Sequence, residues 1–145
     1  MASNVFDTKD LTKFEKNLIY LAKAKMPKES RAFLRDEGTK LRTLTLTKAK
    51  MKLEKKTGNL FKGIKRGRVY AFKKDGGLSI RVYGGKPAYH IHLLEYGHRQ
   101  VTADGREVGF VKGFYFFEEA FKEFRNPYYQ DVQKWLDETL EKGLW

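Results

Sequence analysis

The chain's three histidines fall within nine residues, in Tyr89-His90-Ile91-His92-Leu93-Leu94-Glu95-Tyr96-Gly97-His98. Imidazole with carboxylate is a ligand set that zinc or iron accepts. Geometry weakens the set. On a strand His90 and His92 would share a face, but on a helix they point roughly 200° apart. Helical spacing groups His92 with Glu95 and Glu95 with His98 instead, which leaves a site short of a fourth ligand and of supporting groups. The expected arrangement is a polar helix face with its imidazoles hydrogen-bonded to neighbours, and no metal. The chain has no cysteine, which removes thiolate ligands and thiol nucleophiles. No serine or threonine sits in a motif that would activate it. Gly58-Asn59-Leu60-Phe61-Lys62-Gly63 has the spacing of a phosphate-binding loop but runs into Ile64-Lys65, so the lysine and hydroxyl that such a loop needs are missing. We therefore expect no catalytic residue, no cofactor and no enzymatic activity.

Charge carries more information. The chain has a net charge of +12, which favours polyanionic or acidic partners. The cations concentrate in the middle, where Lys48, Lys50, Lys52, Lys55, Lys56, Lys62, Lys65, Arg66 and Arg68 are interrupted by a single acid, Glu54. From Glu118 onward the balance reverses, with Glu119, Glu123, Asp131, Asp137, Glu138 and Glu141. A basic middle and an acidic end suit subunits placed head to tail, and also a solvated surface. With Phe61, Tyr70 and Phe72 interleaved, the basic stretch could also neutralise phosphate and stack on bases. A nonspecific nucleic-acid-binding module is thus the alternative reading. No apolar run approaches the length of about 20 residues that spans a bilayer, and the first residues lack a signal-peptide pattern, so we expect no membrane contact.

The elements that must position these residues follow from periodicity. Leu11, Phe14, Leu18 and Leu21 recur at helical spacing, and that helix should end near Met26-Pro27. Pro27 suits the first turn of a second helix through Phe33, Leu34, Leu41, Leu44, Met51 and Leu53. Gly38 and Thr43 to Thr47 are its weak points, and Thr57-Gly58 its end. Val69 to Lys74 and Leu78 to Gly84 form a hairpin around Asp75-Gly76-Gly77, with Leu78, Ile80 and Val82 inward and Ser79, Arg81 and Tyr83 outward. Ala88 to Tyr96 reads as a short helix closed by Gly97. A second hairpin turns at Ala103-Asp104-Gly105, and Phe117, Ala120, Phe121 and Phe124 make one stripe of a further helix. Pro127 should separate it from a last helix bearing Val132, Trp135, Leu136 and Leu140. The order argues for an α+β fold, a small antiparallel sheet of hairpins packed with two N-terminal helices and C-terminal helices. Residues 1–126 would form one domain and residues 127–145 a C-terminal helical extension, with Trp135 and Trp145 free to dock on a partner.

In sequence order, Thr57-Gly58-Asn59-Leu60 after a basic helix, the Tyr89 to His98 segment, Val108-Gly109-Phe110-Val111-Lys112-Gly113 and Phe116-Phe117-Glu118-Glu119-Ala120 resemble the HK-type phage gene-product-ten family of tail-completion and head-tail joining proteins. The chain departs from that pattern at Phe114-Tyr115-Phe116-Phe117, where family members often carry a proline, and in its long tail after Pro127. The resemblance implies a virion component without catalysis, made in the host cytoplasm and located in the neck or tail. It would form a homo-oligomeric ring, expected to be a hexamer, between a connector or stopper and the tail-terminator or tail-tube proteins. Lys48 to Arg68 could then partly line the DNA channel, touching genomic DNA without sequence preference, and partly meet acidic faces of neighbouring rings. Thr57, Gly58, Leu60, Tyr89, His92, Glu95, Tyr96, Gly97, Gly113 and Ala120 are expected to determine the fold rather than contact a ligand.

Overall fold

A computed structural model of the chain describes residues 8–53, 58–71 and 77–144. The fold is α+β: a long helical N-terminal arm, three two-stranded antiparallel ribbons and a long C-terminal helix. The arm comprises α1 (Thr8–Tyr20), a π-helical turn (Leu21–Lys25) and α2 (Met26–Lys52). The break expected at Met26-Pro27 is absent. Pro27 has no N–H to offer the carbonyl four residues back, and the chain absorbs this by widening the preceding turn: the Met26 N–H donates to the Leu21 carbonyl, five residues back. Tyr20, Lys25 and Met26 all keep right-handed helical torsions.

The threonine-rich part of α2 does not break either. Thr39, Thr43, Thr45 and Thr47 each donate their hydroxyl to the carbonyl four residues earlier, at 2.8–3.0 Å, which keeps these side chains compatible with the helix. Gly38 marks the place where a ribbon crosses α2. A Cβ there would lie 2.8 Å from the Ile80 Cδ1.

The short helix α3 (Gly58–Gly63) leads into β1 (Ile64–Arg66), β2 (Tyr70–Ala71), β3 (Leu78–Ser79) and β4 (Val82–Gly84). These form one interrupted hairpin, β1 pairing with β4 and β2 with β3. Between the two ladders, residues 67–69 on one arm oppose 80–81 on the other, so one extra residue bends the ribbon. The expected alternation holds. Val82 is buried and Ile80 half-buried on the inner face, while Arg81 and Tyr83 are exposed. Asp75-Gly76, Phe72, Lys73 and Lys74 lie outside the described residues.

Helix α4 (Ile91–Tyr96) starts three residues later than expected because Lys86 to His90 form turns, and it ends at Gly97 with φ +84°. Strands β5 (Gly97–Val101) and β6 (Glu107–Lys112) form the second hairpin around Gly105, φ +87°. The core joins Ala49 and Leu53 of the arm to Leu60, Ile64, Val82, Ile91 and Phe116.

Helix α5 (Phe116–Leu144) runs unbroken through Pro127, so the two helices expected on either side of that residue are one. The boundary expected at 126/127 falls inside it. Contacts on both sides of Pro127 hold the helix against α2. Lys48 pairs with Glu123 before it; Lys40 pairs with Asp131 at 3.0 Å and Phe33 stacks on Trp135 at 5.0 Å after it. Tertiary packing of this kind outweighs a local breaker. Replacing Pro127 with Ala restores a donor for the Glu123 carbonyl. We expect it to raise stability by about 1 to 2 kcal/mol, measured by urea unfolding followed by circular dichroism.

Candidate functional site

Three of the four segments that carried the resemblance meet at one junction. Helix α4 ends where α5 begins, and each end supplies what the other lacks. The Leu94 and Glu95 carbonyls, left without helical partners at the end of α4, accept the N–H groups of Phe114 and Tyr115 at 2.8 and 3.1 Å. The Glu95 carboxylate, 3% exposed, accepts the first free N–H groups of α5, from Phe117 to Oε2 at 2.9 Å and from Glu118 to Oε1 at 3.0 Å. A negative group at a helix start also sits favourably in the helix field. Tyr115, with φ +52°, turns the chain into α5, and it is not one of the short Ser, Thr, Asp or Asn side chains that cap a helix start locally. Close approach of the two segments requires Gly113. A Cβ there would lie 2.4 Å from the Glu95 carbonyl oxygen, and one on Gly97 would lie 2.4 Å from that of Val111.

This junction accounts for Glu95, Gly97 and Gly113 as fold determinants. Leu60 and Ala120 are buried, and Gly58 opens α3. Tyr89, His92 and Tyr96 are exposed, Tyr96 meeting Tyr115 edge to face at 6.5 Å. Thr57 lies outside the described residues, as do Lys55, Lys56 and Trp145. The histidines do not converge. Gly97 ends α4, so His98 stands on β5 opposite Val111 rather than one helical turn beyond Glu95. Both Glu95 oxygens are occupied, and among the described residues no three His, Asp or Glu side chains come together as metal ligands.

The acidic partner of the basic helix is the chain's own C-terminal helix. Lys40, Lys48 and Lys52 pair with Asp131, Glu123 and Glu119, an antiparallel register in which each step up α2 is an equal step back along α5. Lys52 also donates to the Phe114 carbonyl at 3.0 Å. Lys50 lies over the Phe61 ring at 5.3 Å, and Arg66 donates to the Arg35 carbonyl at 3.1 Å. Trp135, expected to dock on a partner, stacks on Phe33 of the same chain. Lys62, Lys65 and Arg68 have no carboxylate partner among the described residues.

Sequence reasoning missed Glu37, although its spacing between Leu34 and Leu41 places a carboxylate on the apolar stripe of α2. Glu37 is 3% exposed, and Lys40 donates to its Oε1 at 3.2 Å. Its Oε2 has no donor and faces Asp131. Burial, and then the neighbouring Asp131, push the Glu37 carboxyl up to about 7. Asp131 is held below the usual range by its interaction with Glu37 and by Lys40. Of the two carboxyls Glu37 is thus the one more easily protonated. Tyr128 beside it is raised by burial and by the charge on Glu37.

Glu37 titrates near 4.5 when unfolded and near 7 when folded. Its contribution is therefore complete below pH 4.5 and lost as pH rises through 7, whereas that of Asp131 is lost as pH falls through its lowered value. Glu37→Gln keeps a donor without the titration. It should flatten the fall in stability between pH 5 and 8 and add about 1 to 3 kcal/mol at pH 8, read from urea midpoints across pH. Glu95→Ala should cost about 2 to 4 kcal/mol, with amide exchange accelerated first at Phe117 and Glu118. Compared with known proteins, the chain matches no family model, no curated protein and no solved structure.

Proposed function

We propose that the chain is a non-catalytic structural subunit of a tailed-phage virion, a tail-completion or neck component that joins the head connector to the tail as part of a ring around the DNA channel. The ordered resemblance of Thr57 to Leu60, Tyr89 to His98, Val108 to Gly113 and Phe116 to Ala120 motivates the assignment. The observation that carries the assembly part is the β5–β6 hairpin. Val101, Val108 and Phe110 on it are 59%, 58% and 63% exposed. A two-stranded ribbon is marginal by itself in water, and clustered exposed apolar side chains are a mark of an interaction surface. The Gly97 and Gly113 junction anchors the ribbon at its base, so the apolar part projects from a fixed support.

On this reading the ribbon packs on a neighbouring copy, and the connector or stopper and the tail-terminator or tail-tube proteins lie above and below the ring. Among the described residues no helix is long and apolar enough to cross a membrane. Native mass measurement and electron microscopy of the purified protein, with and without tail tubes, test the proposal. Rings are expected, alone or on the tube, and Val108→Asp with Phe110→Asp should abolish them while leaving the circular dichroism spectrum unchanged. A protein that stays monomeric in both settings and binds DNA tightly would replace this reading with that of a stand-alone nucleic-acid-binding module.

A further inference from the structure

Two groups of cations in the middle of the chain differ in their surroundings. Those of α2 at Lys40, Lys48 and Lys52 are neutralised by α5. Those of the β1–β4 hairpin are not. Between Glu54 and Glu95 the sequence holds one acid, Asp75, and none of Lys62, Lys65, Arg68, Arg81 and Lys86 forms an ion pair among the described residues.

The register places several of these groups on one face. Lys65 is directly opposite Tyr83, the Gly67 N–H donates to the Arg81 carbonyl at 2.7 Å, and Tyr70 is opposite Ser79. Directly opposed residues share a face of an antiparallel ribbon, so Lys65, Tyr70, Arg81 and Tyr83 point away from α2 together. Arg68 lies in the irregular stretch between the two ladders and is exposed. The Arg81 guanidinium lies 5.7 Å from the Tyr70 ring centroid and 5.7 Å from that of Tyr83. Two rings thus hold the guanidinium in place before any partner arrives, and a guanidinium so held loses little freedom on binding an oxyanion pair. Each ring gives a face to Arg81 and so offers less to a base. The chemistry presented first is phosphate binding.

We propose that the outer face of the β1–β4 hairpin, centred on Arg81 with Lys65 and Arg68, binds the phosphate backbone of duplex DNA without sequence preference. The α2 lysines have no such role. This deepens the reading of the chain as a neighbour of a DNA channel by naming the surface that faces the polyanion, and it moves that surface off Lys48 and Lys52. Lys62 and Lys86 flank it and extend the positive field.

Fluorescence anisotropy of a labelled, arbitrary-sequence 30-bp duplex, titrated with the full chain at several salt concentrations, tests the proposal. The variant Lys65→Ala/Arg68→Ala/Arg81→Ala should bind at least about tenfold more weakly at low salt, with a slope of log affinity on log salt shallower by about 3. Lys48→Ala/Lys52→Ala should retain the wild-type slope and lose only thermal stability. Wild-type affinity and slope in the triple variant would overturn the proposal, as would equal loss in the folded α2 variant. A wild-type chain that binds no duplex but binds an acidic protein surface would also overturn it. Oligomer mass measured on the same samples separates the two readings. A monomer that binds DNA through this face retains the present inference and removes the neck assignment, whereas rings indifferent to DNA do the reverse.

Discussion

One carboxylate decides where the C-terminal helix begins. A helix start leaves backbone N–H groups without partners, and in this chain the buried Glu95 takes two of them. The donor helix and the acceptor side chain come from segments that touch only because Gly113 carries no side chain. Once α5 is launched from that point, its direction along α2 follows, and with it the alignment of Glu119, Glu123 and Asp131 against Lys52, Lys48 and Lys40. The second hairpin leaves the same junction in the other direction. Helix pair and ribbon therefore share an origin, and a shift at Glu95 would be felt by both.

The charge separation that stands out along the chain is compensated in part, through Lys40, Lys48 and Lys52. A basic middle and an acidic end, far apart in sequence, lie side by side as two antiparallel helices. Among the cations left without a carboxylate are those of the first hairpin, backed by aromatic rings. Between the same helices the buried Glu37 carboxyl, beside the half-buried Asp131, is pushed toward its protonated form. The helix pair thus joins surface ion pairs and a buried carboxyl within a few turns.

Local patterns carried much of this into the sequence. Alternation at Leu78, Ile80 and Val82 identified the inner face of the first hairpin, and Gly97 identified the end of α4, because strand period and left-handed torsion are properties of a few adjacent residues. The prolines misled. Pro27 and Pro127 both predict breaks, yet a widened turn accommodates the first and packing on α2 overrides the second. Glu95 is legible only as a carboxylate near histidines, since its partners lie over 20 residues away in the chain. The ion pairs of α2 were equally hidden: nothing in the local sequence says that Lys48 will meet Glu123 rather than solvent, DNA or another subunit.

The widened turn at Leu21 to Lys25 has a further geometric effect. Inserting one residue into a helix rotates everything before it by roughly 100° relative to everything after it. Leu18, Ile19 and Tyr20, spread over about 200° of the helix just before that turn, are all exposed, whereas Leu21 within it is buried against Gly143 of α5. The turn thus seats one side chain of the arm on α5 while the apolar residues just before it stay turned to the surroundings.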